Sequence, residues 1–207
     1  MSELVYMTYD EGYIKFDCEW VRADALPFSE IAGVNSLRDK LYGLGLIGAH
    51  DDGVGFGNVS VRIGGSNEFV ISGSATGGLR KLSGAHYCQV VEFDFDKNWL
   101  RCVGPVRASS ESLSHAAVYL SCPDVNAVVH VHCLSLWKKL YGRVPTTSSD
   151  ALYGTPAMAL DIVRLLQDAD VRKDRVIVMG GHEEGILAFG KDLAEVDGVV
   201  LMLVGGV

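Results

Sequence analysis

The stretch Asn126-Ala-Val-Val-His-Val-His132 decides how this chain is read. Valine is a strand former because its branched side chain suits a pleated surface. In a strand, residues i and i+2 share one face roughly 6.6 Å apart, so His130 and His132 turn both imidazoles the same way. A single histidine on a buried strand is ordinarily a core residue with its own hydrogen-bond partners. Two on one face of a valine-rich strand need several such partners, whereas one metal ion with acceptors behind the rings satisfies both together. A third histidine follows in Gly180-Gly-His-Glu-Glu-Gly-Ile-Leu-Ala-Phe189. Spacing alone leaves both readings open.

Working outward, Ser109-Ser-Glu-Ser-Leu-Ser-His115 predicts a helix reaching about Ser121, with Ser110 as its N-cap. After the histidine strand, residues 133–141 and 156–168 read as helices, Arg175 to Met179 and Gly185 to Phe189 as apolar strands, and a last helix begins near Lys191. Upstream, Leu37, Leu41 and Leu44 give helical spacing from Asn35 until Gly45 and Gly48 break it. Val59 to Ile63 alternates as a strand, Glu68 to Ile71 pairs with it, and Tyr87 to Val103 reads as a hairpin turning at Asp96-Lys-Asn98. Hairpins first and helix–strand alternation later imply an α/β fold, a mixed sheet covered by helices. Residues 1–34, aromatic and acidic with Pro27 near the end, show no period and are expected to be an extension packed on a domain of residues 35–207.

A chain of 207 residues that is 48% hydrophobic has material for one sizeable core. Its net charge of -8 has no basic cluster to offset it, which argues against a nucleic-acid or anionic-membrane partner. The start of the chain lacks a basic segment followed by an apolar core, and no apolar run approaches 18 residues. A cytoplasmic protein is expected. The five cysteines are scattered without CxxC spacing and read as reduced thiols.

Three further segments bear on chemistry. Gly55-Phe-Gly-Asn-Val-Ser60 and Ser72-Gly-Ser-Ala-Thr-Gly-Gly78 are glycine-rich turns that offer backbone N–H groups and small hydroxyls to an anion, although glycine and serine are also what ordinary turns contain. Ser109 and Ser110 put two hydroxyls at a helix N-terminus, where the dipole favours phosphate. Glu111 reads either as a first-turn acid favouring the dipole or as a carboxylate placed to take a proton from carbon.

The order Gly57-Asn-Val-Ser60, Ser74-Ala-Thr-Gly77, Ser109-Ser-Glu111, His130-Val-His132 and a later glycine-flanked His182 resembles the class II aldolase/adducin family over roughly residues 35–200. The resemblance implies a three-layer α/β/α sandwich around a mixed, largely antiparallel sheet. It also implies a homotetramer with fourfold symmetry and a divalent metal, zinc first and manganese or cobalt next, on His130, His132 and His182. Glu111 would be the catalytic acid/base, and Asn58, Thr76, Gly77, Ser109 and Ser110 would hold a sugar phosphate. The activity implied is a metal-dependent carbon–carbon lyase of the aldolase type, working through a metal-stabilised enediolate on a phosphorylated or acidic sugar derivative.

The chain departs from the family pattern at three places. Gly55 stands where the aldolases commonly have a threonine, Glu183 and Glu184 intervene between His182 and Gly185, and no tyrosine follows Tyr153. Tyr153 falls near the region where a neighbouring subunit's tyrosine acts in the family, and it is the proton donor expected here. Epimerase, dehydratase and decarboxylase chemistry are the enzyme alternatives, and a non-catalytic adducin-like assembly domain is the alternative of another class.

Overall fold

The computed structural model describes residues 13–206 and has one eight-stranded sheet between two helical layers. Strand β1 (Asp17–Arg22) lies at one sheet edge. Strands β2 (Gly48–Ala49) and β3 (Gly55–Phe56) form a separate short hairpin. The remaining strands are β4 (Asn58–Arg62), β5 (Phe69–Ser72), β6 (Tyr87–Asp94), β7 (Trp99–Gly104), β8 (Ala127–His132), β9 (Val176–Val178) and β10 (Gly185–Gly190). The spatial order is β1-β7-β6-β5-β4-β8-β10-β9. Only β1–β7 is parallel; every other neighbouring pair is antiparallel. This is the mixed, largely antiparallel sheet expected from sequence.

The helices are α1 (Phe28–Gly43), α2 (Ser112–Ser121), α3 (Leu134–Leu140), α4 (Pro156–Leu165), α5 (Ala169–Asp174) and α6 (Leu193–Gly205). One face of the sheet packs on α2, α4 and α5 through Leu113, Ala116, Met158, Ile162 and Val171. The other packs on α1, α3 and α6 through Ile31, Leu41, Leu136, Val196 and Val200. Strand β8 is buried on both sides. Val129 and Val131 join the α1/α6 layer and Val128 joins the α2/α4 layer. The period of two therefore puts His130 and His132 in the row of Val128, on the α2/α4 face.

Several element boundaries differ from expectation. Helix α1 opens at Phe28, not Asn35, because Pro27 at φ -56 presets the first turn and Ile31 and Val34 extend the buried stripe below Leu37 and Leu41. Leu44 is not part of that stripe: it is the exposed C-cap, and Gly45 at φ +72 ends the helix. Residues 17–22 of the expected extension form an edge strand, and residues 1–12 lie outside the described residues. Helix α4 stops at Leu165, and α5, capped by Asp168, was not anticipated. No described helix is long and apolar enough to cross a membrane.

Candidate metal and substrate site

Because the central strands alternate in direction, the start of β4, the ends of β5, β7 and β8 and the start of β10 lie along one sheet edge. That edge gathers the expected residues. Asn58, Thr76, Gly77, Ser109, Ser110, Glu111, His130, Tyr153 and His182 line one cleft. His132 stands directly behind it.

The three histidines are buried and converge. Nε2 of His132 lies 2.9 Å from Nε2 of His130, and the ring centroids are 4.8 Å apart for His130–His132 and His132–His182 and 5.0 Å for His130–His182. Strand register makes room for this. Gly185 pairs with His132 across β8–β10, and a Cβ there would stand 3.1 Å from ring atoms of both His130 and His182 and 3.0 Å from the His182 carbonyl. The ligand atoms of all three side chains lie within 4.8 Å of one another, which suits one cation with a coordination position left open.

Glu111 is not in the first turn of α2 but is its N-cap residue, and Ser110 does not cap. The Ser109 carbonyl accepts both the Ser112 amide (3.0 Å) and the Ser112 hydroxyl (2.7 Å), which closes a turn and moves the helix start one residue on. The Glu111 side chain makes no capping bond. Its Oε2 accepts from the Ser114 hydroxyl at 2.7 Å, while the buried Oε1 has no hydrogen-bond partner and lies 3.8 Å from Nδ1 of His182. Only 2% of the residue is exposed.

The glycine-rich loop after β5 has the form of an anion cradle. Ala75 takes φ +59, and the amides of Ala75, Thr76 and Gly77 make no hydrogen bond within the described residues. Successive amides around a left-handed residue form a concavity for anions. Gly77 must be glycine, since a Cβ would stand 2.6 Å from the Gly48 carbonyl and 2.8 Å from backbone atoms of Phe56. The Thr76 hydroxyl is already used, donating to the Gly73 carbonyl at 2.8 Å. Behind the loop, buried Arg38 donates to the carbonyls of Thr76 (3.1 Å) and Gly77 (2.9 Å). Across the cleft, Asn58 donates to the Ser109 hydroxyl at 3.0 Å.

Tyr153 belongs to the same chain's cleft: its buried ring stacks on His182 at 4.7 Å, with the Lys15 ammonium 3.8 Å from its centroid. It therefore lines the cleft of its own chain. Phe56 stacks on His132 at 5.1 Å and forms another wall. Sequence reasoning missed Phe56, Arg38, Ser114 and Lys15. Ser114, three residues after Glu111 on one helical face, carried a readable signal. The others are brought in by loops and by a distant helix. Deeper on α2, Nδ1 of His115 meets the Ser60 hydroxyl at 2.7 Å, which also meets Tyr119 at 2.7 Å, and burial pushes the His115 imidazole down to about 3.

These features define an α/β sandwich with a histidine cluster, a carboxylate and an anion cradle on one sheet edge. The sequence profile of the Class II Aldolase and Adducin N-terminal domain matches residues 50–203, and the chain belongs to that family. Among solved structures, it is similar to L-fuculose 1-phosphate aldolase, with a TM-score of 0.65 and 19% identity over 87% of this chain and 84% of that one. It is also similar to a sugar-phosphate aldolase from Thermotoga maritima, with a TM-score of 0.56 and 15% identity over 85% and 94% of the two chains. A third is YgbL from Escherichia coli, described only as an aldolase/epimerase/decarboxylase candidate, with a TM-score of 0.62 and 16% identity over 84% of each chain. At these identities the likeness is one of fold. No curated protein sequence matches the chain significantly.

Proposed function

We propose that the protein is a metal-dependent carbon–carbon lyase of the aldolase type, acting on a phosphorylated or acidic sugar derivative. The observation that carries this reading is Glu111: a buried carboxylate with one oxygen anchored by Ser114 and the other unpartnered beside His182. A helix cap or a core acid would have that oxygen satisfied. Held there, Glu111 can take a proton from a substrate carbon and return it. His130, His132 and His182 would hold a divalent cation, zinc before manganese or cobalt, because three imidazoles with an open position suit it. That ion would supply Lewis acidity toward substrate oxygens.

The other residues fall into place around this chemistry. The amides of Ala75 to Gly77, with Asn58, Ser109 and Ser110, would hold the anionic end of the substrate. Thr76 would act through its amide, its hydroxyl being engaged within the loop. Tyr153 would donate a proton to the leaving group from within the same chain. Epimerase, dehydratase and decarboxylase reactions could use the same acid. A non-catalytic assembly domain has no need of a buried carboxylate beside a histidine cluster, 3.8 Å from Nδ1 of His182.

A homotetramer is part of this reading, supported by the exposed apolar side chains of Leu160, Leu201 and Met202. So is a cytoplasmic setting, supported by five free thiols. We further propose that residues 35–207 belong to one catalytic domain and that the domain reaches upstream of them, since Ile31 and Val34 of α1 lie in its core and β1 is a strand of its sheet.

Elemental analysis and a substrate panel test the proposal together. Purified protein should carry zinc or accept it, and the loaded protein should release an aldehyde from at least one phosphorylated ketose or sugar acid. Glu111→Gln should keep the metal while losing about 10²-fold or more in turnover. A folded protein that cannot be loaded with zinc, manganese or cobalt would end the enzyme reading, and full activity in Glu111→Gln would remove Glu111 from the chemistry.

A further inference from the structure

We infer that the metal centre is built for two cations, the second held by His50, Glu184 and the outer ring nitrogen of His132. The inference rests on the reading above, in that His132 serves the first ion. The ligand atoms of His50, His132 and Glu184 lie within 4.8 Å of one another, a second group beside the histidine triad. His132 is common to both groups, and its two nitrogens face different neighbours. Nε2 is 2.9 Å from Nε2 of His130, whereas Nδ1 is 3.8 Å from Oε2 of Glu184. An imidazole so placed can bridge two ions through one ring, releasing its remaining ring proton to solvent when both nitrogens coordinate.

Both outer residues are positioned by the backbone. Glu184 adopts φ +70, a left-handed conformation rare for glutamate, and its carbonyl is fixed by the Cys133 amide at 3.1 Å. The exposed Glu183 beside it belongs to neither group. His50 sits in the β2–β3 turn, where its amide donates to Val54 and its carbonyl accepts from Gly53, each at 2.9 Å, and its ring packs on Phe56 at 4.7 Å. Two imidazole nitrogens and a carboxylate oxygen suit zinc, manganese or cobalt.

The two sites differ in access. The triad is buried, while His50 and Glu184 are only half-buried, so the outer ion would keep positions open to solvent or substrate. It would place a second positive charge at the rim of a cleft whose lining, among the described residues, includes no lysine or arginine. An anionic substrate is the class such a rim serves.

Zinc stoichiometry tests this directly. Metal-stripped protein is titrated with zinc by calorimetry and then analysed for bound metal after dialysis, with circular dichroism checking each variant's fold. Two equivalents per chain are expected for the unaltered protein, one for His50→Ala and one for Glu184→Gln. A single equivalent in the unaltered protein, retained by both variants, overturns the second site and leaves the first intact. One equivalent that weakens only in Glu184→Gln also overturns it and makes Glu184 an orienting acceptor for His132. No bound zinc at all defeats the functional reading itself.

Discussion

Acidification should weaken this fold through His115. The imidazole is fully buried on α2, bonded through Nδ1 to Ser60, and its Nε2 has no hydrogen-bond partner. Burial pushes its pKa down to about 3, against about 6.5 for an unfolded histidine. A base with a depressed folded value binds fewer protons when folded, so stability is complete above about pH 6.5 and falls as pH drops toward 3. The limiting slope is about 1.4 kcal/mol per pH unit, which amounts to about 2 kcal/mol between pH 7 and pH 5. At pH 5 the loss is set almost wholly by the unfolded chain, so a folded value of 3 or 4 gives nearly the same result. Two kcal/mol matters against a total of about 5–15 kcal/mol. The assay is urea unfolding of metal-stripped protein at pH 7, 6 and 5, for the native sequence and for His115→Asn. Every other ionisable group is common to the two proteins, so the difference between them isolates His115. The native sequence should lose about 2 kcal/mol more than the variant. Parallel losses would mean that His115 is charged or hydrated in the folded state.

Other perturbations reach the site itself. Gly185→Ala introduces a Cβ 3.0–3.1 Å from His182 and His130, so it should cost about 1–3 kcal/mol in urea unfolding and weaken zinc binding measured by calorimetry; unchanged zinc affinity would show that the rings need no such clearance. Tyr153→Phe keeps the stack on His182 but removes the phenol, and should lower turnover about 10²-fold with metal content unchanged; full turnover would assign Tyr153 to packing. Light scattering at micromolar concentration should give four chains per particle, and an active monomer would refute the assembly.

Much of the fold was legible because its signals were local. The β8 valines, the hairpin turning near Asn98 and the apolar run of β10 each declare themselves within a few residues. Strand β1 did not, since an edge strand with Asp17 and Glu19 exposed carries little hydrophobic contrast. The start of α1 was hidden because its stripe continues through Ile31 and Val34 and not through leucines. At the site, the i, i+2 spacing of His130 and His132 was readable, as was the loop that brings in His182. The exact role of α2's first residues was not, because hydrogen bonds to the Ser109 carbonyl set the helix start and no sequence motif announces them. His50 in a turn, Phe56 on the short strand β3 and Arg38 on α1 reach the cleft only through tertiary packing.

The electrostatics of the cleft explain how a chain of net charge -8 could hold an anion. Among the described residues no lysine or arginine lines the pocket, and Glu111 adds a carboxyl group to it. Positive potential then comes from backbone amides, from the Lys15 ammonium packed on Tyr153 at the wall, and from whatever cation the histidines carry. Arg38 strengthens the first source from behind. Its guanidinium stays charged although burial lowers its value, and it donates to the carbonyls of Thr76 and Gly77. Those carbonyls belong to the same peptide units as the amides of Gly77 and Gly78, so a positive charge on the oxygen side polarises the N–H side. The cation is thereby expressed through peptide dipoles without a side chain entering the cleft. A lysine or arginine inside it would compete with His182 for Glu111 and, if Glu111 is the base, would hold the carboxylate too firmly to let it accept a proton. Keeping Arg38 behind the loop separates anion binding from proton transfer, which are the two tasks this sheet edge would have to perform at once.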